Sequence, residues 1–178
     1  MVRLAGQHGR LAASSVTLSA MARELITSWA DYQTALDRLL AIATRKICVY
    51  DEDLVALKLE SAARLAALSR LLNAGQQNTL HVALRNAAPF RGQFPRLLKF
   101  FGTYSHLASI QETPPQLAHL RDSMILVDEK HALIRFEQNL PRSKLLIDEA
   151  EEVRPYLTRF NEIWAEGGET VFANPLGL

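Results

Sequence analysis

Short runs of strand-favouring residues alternate with longer stretches of helical period along most of this chain. That alternation constrains the fold more than any other feature. Lys46 to Tyr50 is one such run, since Ile47, Cys48, Val49 and Tyr50 all favour strands. Asn78 to Arg85 alternates apolar and polar residues, and Leu107 to Gln111 is a further short strand. Ser123 to Val127 is almost wholly apolar, as a central strand should be, and His131 to Phe136 is its expected partner across the tight turn Asp128-Glu129-Lys130. Glu24 to Thr27 adds a short strand near the start. Between these runs lie the helices. Ser28 is a candidate N-cap, and Trp29, Tyr32, Leu36, Leu39 and Leu40 follow it at close to 3.6-residue spacing. Ser61 to Asn73 is rich in Ala, Leu and Arg and closes on Asn73-Ala74-Gly75. Pro89 to Ser105 is helical in part, with Pro95 at a helix start or a break. Asp148 to Glu166 carries one apolar stripe from Val153 to Trp164. Strands and helices interleaved in this way predict an α/β fold with a mixed, mostly parallel sheet flanked by helices.

Composition narrows the class. A chain of 178 residues with 48% hydrophobic content is long enough for a full core; near this length, roughly 70% of the unfolded surface is buried. One domain over 21–178 is expected, preceded by a flexible tail over 1–20, where Ser14, Ser15, Thr17 and Ser19 interrupt the apolar stretch a signal peptide would need. No run is apolar enough to cross a membrane. The single cysteine cannot form an internal disulfide, which makes a reducing, cytoplasmic setting the expectation. Cys48 itself sits in an apolar run and reads as a small core residue.

Charge is balanced overall, 20 Lys+Arg against 19 Asp+Glu, but it is distributed unevenly. Residues 61–110 contain no carboxylate and hold Arg64, Arg70, Arg85, Arg91, Arg96 and Lys99. Arg91, Arg96 and Lys99 lie among phenylalanines, a mixture that can grip a phosphate backbone and stack on bases. An amphipathic helix with a phenylalanine core and a solvated cationic face makes the same pattern. There is no glycine-rich phosphate loop and no Gly-x-Ser-x-Gly elbow. No two histidines are three or four residues apart, so no metal and no cofactor is expected. Asp51-Glu52-Asp53, at the end of a strand, is better read as a solvated loop with a helix cap than as a cation site. His131 lies beside Asp128 and Glu129 in the sequence and is a candidate general base.

The segment Leu117 to Trp164 resembles the half-domain of the phospholipase D superfamily. That family carries a strand motif of the form His-x-Lys-x-x-x-x-Asp, a turn, a return strand and a helix. Here Ser123 to Asp128 resembles the strand ending in Asp, Glu129 to Phe136 the turn and return strand, and Phe160-Asn-Glu-Ile-Trp164 the closing helix. The order of the elements over 24–166 also resembles a small uncharacterised bacterial family of such domains.

The resemblance implies a phosphohistidine-forming histidine and a phosphate-binding lysine. With Asp128 as anchor, Arg121 stands in the histidine position and Ser123 in the lysine position. Arginine stays protonated and cannot attack phosphorus, and serine brings no charge. Shifting the register to match His119 leaves Leu126 where the aspartate belongs. The expectation is therefore a degenerate half-domain without catalysis, an anion- or protein-binding module that forms a homodimer across two half-sites, as the family does. Its anion-binding candidates are Arg121, Arg91, Arg96 and Lys99. The alternatives are a divergent phosphodiesterase or nuclease using His119 or His131 with Asp128, and a nucleic-acid-binding domain using the basic 61–110 segment.

Overall fold

The computed structural model describes residues 22–171; the expected tail over 1–20 and the last seven residues lie outside them. Eight strands form one sheet in the order β1-β7-β6-β5-β2-β3-β4-β8. Their ranges are β1 Ala22–Ile26, β2 Lys46–Asp51, β3 Thr79–Leu84, β4 Ala108–Glu112, β5 Ser123–Val127, β6 His131–Arg135, β7 Ser143–Ile147 and β8 Glu169–Thr170. The helices are α1 Trp29–Ile42, α2 Ala62–Asn73, α3 Ala88–Gln93, α4 Pro95–Thr103 and α5 Ala150–Ala165.

The mixed α/β class forms as expected, but its parallel share is smaller. Only β2–β3 and β3–β4 pair in parallel. The other five pairings are antiparallel. Parallel neighbours need a helical crossover, which the chain supplies only through α2 and through α3 with α4. From β5 to β7 the connections are short, and a short connection can only reverse the strand; α5 then carries the chain to the far edge, where β8 pairs antiparallel with β4. β7 has no counterpart in the sequence reading: Ser143–Ile147 is a five-residue run with no period of its own, held by β1 on one side and β6 on the other.

Local signals set the helix ends. The Ser28 hydroxyl accepts from Asp31 N at 3.1 Å, and the Ser61 hydroxyl accepts from Arg64 N at 3.4 Å. Pro95 opens α4 at its first turn, so the stretch after Pro89 is two helices rather than one. At the far edge, Gly168 has φ +149°, and a Cβ there would lie 1.8 Å from the carbonyl oxygen of Glu112. Only glycine lets β8 reach β4.

Each face of the sheet has its own core. One holds α1 and α2 against Ile47, Val49, Ile125, Val127, Leu133 and Leu145. The other holds α5, through Val153, Phe160 and Ile163, against Cys48, Tyr50, Met124, Leu126, Ile134 and Leu146. Two cations of the basic segment belong to the first layer. Arg64 donates to Asp37, to Gln33 and to the Leu57 carbonyl, while Arg70 donates to the free carbonyls of Leu40 and Ala41 at the end of α1.

Candidate functional site

The antiparallel pairing of β5 with β2 sets Met124 beside Tyr50 and Val127 beside Ile47. Strand β5 therefore carries Arg121 and Ser123 to the end of the sheet where β2 and β3 finish, and Asp128 to the opposite end. In α/β sheets the first of these is where ligand crevices form.

At that end Arg135, from the last position of β6, is 1% exposed. Its Nη2 donates to Asp51 Oδ1 at 2.6 Å and to Ser123 Oγ at 3.1 Å, and its Nη1 donates to the Gln138 carbonyl at 2.8 Å. The guanidinium carbon lies 5.5 Å from the Trp29 ring and 5.3 Å from the Tyr32 ring. Its Nε has no acceptor. Asp51, also 1% exposed, accepts from Leu54 N at 2.9 Å with its second oxygen. Ser123 is thus a buried acceptor inside a closed knot. Arg121 lies outside it, exposed, with Nε and Nη2 on the Glu137 carboxylate at 3.0 and 2.8 Å. A shallow cleft of about 250 Å³ sits above the knot, lined in part by Trp29, Glu52, Asp53 and Gln138. Arg135 lines it too but is already paired with Asp51, and with Glu52 and Asp53 beside it the cleft offers a phosphodiester no free cation.

On the other face of the same end, Arg85 lies over the Tyr50 ring at 5.0 Å and donates to the Asp122 carbonyl and to Gln138 Oε1. Arg159 holds the Asp122 carboxylate with two hydrogen bonds of 2.7 Å. An internal carboxylate occupies the fork that an external anion would need.

Asp128, at the opposite end, accepts from Thr44 N at 2.8 Å, Thr44 Oγ1 at 2.7 Å, Arg45 N at 2.8 Å and Lys46 N at 2.9 Å. Burial pushes its pKa up, but these four donors outweigh that and hold it below the ordinary carboxylate value. Asp128 and Glu129 both have positive φ, 51° and 62°, which turns the chain between β5 and β6. The turn aims Asp128 at the start of β2 and leaves His131 facing Asp148. His131 Nδ1 accepts from Asp148 N at 2.9 Å, so a proton on the neutral ring sits on Nε2. Burial lowers the His131 pKa, with Asp148 acting against it. His119 is exposed, its Nδ1 2.9 Å from the Gln116 carbonyl. Neither histidine is hydrogen-bonded to Asp128, so the structure does not assemble the three candidate catalytic residues into one site.

Of the cationic candidates, Arg91 is on α3, Arg96 and Lys99 are on the adjoining α4, and Arg121 precedes β5. Arg91 bridges to Glu112 at 3.1 Å, and Arg96 sits beside Glu60, whose carboxylate accepts from its backbone N–H. Lys99 is exposed on α4 and has no ion pair among the described residues. Asp51, Glu52 and Asp53 do not converge, and no group of three His, Cys, Asp or Glu side chains among the described residues could hold a metal ion. Cys48 is buried, and burial pushes its thiol up to about 11.

Sequence reasoning missed Arg135, Asp122 and Arg159. One signal was present for the first: an arginine inside the apolar run His131 to Phe136 needs a buried counter-charge.

A family model described as "Domain of unknown function (DUF7931)" matches residues 28–171. No curated protein matches the chain. Among solved structures, TrmBL2, an archaeal chromatin protein whose structure is described as showing a novel mode of DNA binding, is 13% identical with a TM-score of 0.64. That match covers 88% of this chain and 56% of the archaeal one, so the chain spans little more than half its length. The phospholipase D family member Nuc from Salmonella typhimurium is 11% identical with a TM-score of 0.59, covering 86% of this chain and 99% of Nuc. NucT from Helicobacter pylori is 9% identical with a TM-score of 0.53, covering 82% and 97%. At these identities the likeness is one of fold, and the fold is phospholipase D-like.

Proposed function

The chain belongs to the DUF7931 family, and from that premise we propose that it is a degenerate, non-catalytic phospholipase D-like domain that works by binding a protein partner. The observation that carries this reading is the knot of Arg135, Asp51 and Ser123. In the phospholipase D resemblance, Ser123 stands where an ammonium group would meet phosphate, and Arg121 where an imidazole would attack. Ser123 accepts a hydrogen bond from a buried guanidinium instead, and Arg121 is held by Glu137. Attack on phosphorus needs a nucleophile that can lose its proton, and a guanidinium cannot. A protein partner is favoured over a free anion because Arg121 and Arg91 already hold carboxylates. The buried Cys48 thiol fits a reducing, cytoplasmic setting.

Nucleic-acid binding is the second reading. It rests on exposed Lys99 and on the described DNA binding of the archaeal neighbour.

The deciding experiment incubates the purified chain with bis(p-nitrophenyl) phosphate, with and without divalent cations. The expected result is no release of nitrophenolate above the buffer rate. Turnover that disappears in His119→Ala or His131→Ala would overturn the non-catalytic reading. Duplex DNA titrated in parallel at two salt concentrations should bind weakly or not at all. Tight binding that falls steeply with salt would move the conclusion to the second reading.

A further inference from the structure

The α5 face of the sheet is covered unevenly. Helix α5 packs most closely on β5 and β6, and toward the β1 edge two large apolar side chains stay exposed. The pairs Arg23–Leu146 and Leu25–Lys144 place Arg23 and Leu25 on this face, because Leu146 belongs to the core beneath α5. Leu25 is 61% exposed and Phe136 is 45% exposed. They share a cleft of about 210 Å³ with Arg23, Glu24 and Lys144. Strand β1 is also the edge of the sheet, so its outer backbone groups have no strand beside them among the described residues.

Charge says what kind of partner suits this margin. Arg23 is neutralised by Glu149 and Glu152, Lys144 by Glu152, and Glu24 by Arg38. A patch whose charges are settled within its own chain offers nothing to a strongly acidic or basic partner, but it does not repel a copy of itself. A twofold axis normal to the sheet brings two β1 edges together antiparallel and keeps their faces matched. Such an axis must centre the pairing on one residue. Centred on Arg23 or Glu24, it sets that residue opposite its own copy, and like charges directly opposite are destabilising. Centred on Ala22 or Ile26, it leaves only that one residue paired within β1, whereas centring on Leu25 keeps three. Centred on Leu25, it sets leucine opposite leucine and Glu24 opposite Ile26, with both Phe136 side chains on the same face.

We propose that the outer edge of β1 is a self-association surface, where a second copy of this chain adds its own β1 antiparallel in the register that sets Leu25 opposite the partner's Leu25. The two eight-stranded sheets then run on as one. This surface is the β1 edge of the sheet, two strands across from Arg135, whereas the phospholipase D resemblance would join two half-sites at the crevice around Arg121 and Ser123. It does not depend on whether the chain turns over phosphodiesters, so the hydrolysis assay and the test below fail independently.

Sedimentation equilibrium of the full chain across the micromolar range should show a monomer–dimer equilibrium. Leu25→Lys puts two ammonium groups face to face and removes the apolar contact, and should weaken the dimer by about tenfold or more. Leu25 is exposed, so the variant should keep the native circular dichroism spectrum. Under mild oxidation, Leu25→Cys should form a cross-linked dimer and Glu24→Cys should not, with buried Cys48 silent in both. A chain that stays monomeric throughout, a dimer indifferent to Leu25→Lys, or cross-linking at 24 in preference to 25 would each overturn the proposal.

Discussion

Each end of the central sheet is closed by one carboxylate, and the two are held in opposite ways. Asp51, at the end where β2 and β3 finish, shares an oxygen with the buried guanidinium of Arg135. Asp128, at the other end, accepts with both oxygens from three backbone N–H groups and one hydroxyl, with no ion pair among the described residues. A buried ion pair must be kept or removed as a unit, because a lone charge left inside is far worse than none. A carboxylate that caps backbone donors is replaceable in part, since water reaches some of them once it is gone. The crevice end is therefore the brittle one. It is brittle for the same reason that it is closed to a phosphodiester.

The largest test of this contrast is Arg135→Met. It strands the Asp51 charge and should cost roughly 3–5 kcal/mol in urea unfolding. The double variant Asp51→Asn with Arg135→Met should recover most of that loss. If single and double variants cost the same, the knot is not an interdependent pair and the comparison breaks. Asp128→Ala should cost less, about 1–3 kcal/mol, from four donors losing a charged acceptor. Its pH signature sharpens the point. The folded-state pKa of Asp128 lies below its ordinary value of 3.8, so the stabilisation is fully present above about pH 4 and is lost as pH falls through the folded value. Asp128→Asn, which still tolerates positive φ, should flatten stability in that acid window and leave neutral pH less affected. Arg121→Ala removes only an exposed pair with Glu137 and should leave the unfolding midpoint unchanged within error. A clear loss there would mean that the crevice end extends further outward than the knot.

Local chemistry made much of the fold legible. The cap at Ser28, the helix over Ser61 to Asn73, the apolar run of β2, the hairpin of β5 and β6, and the stripe of α5 are written within windows of a few residues, and each formed close to where it was read. Pairing was harder. β7 lies between β1 and β6, and Ala22 meets Ile147 across more than a hundred residues, which no local pattern encodes. The site was the least legible part. Asp128 and His131 are three residues apart in the chain, yet two positive-φ residues turn them toward different partners. Asp51 and Arg135 are far apart in the chain and meet at 2.6 Å.

The sequence by itself determined the periods of the elements, the α/β class and the absence of a histidine and a lysine in register with Asp128, because residue identity and short-range spacing are carried by the chain directly. Only the tertiary structure decided the antiparallel majority of the sheet and which charges neutralise which. Counter-ions are chosen by proximity in space, and proximity exists only after the strands have been ordered.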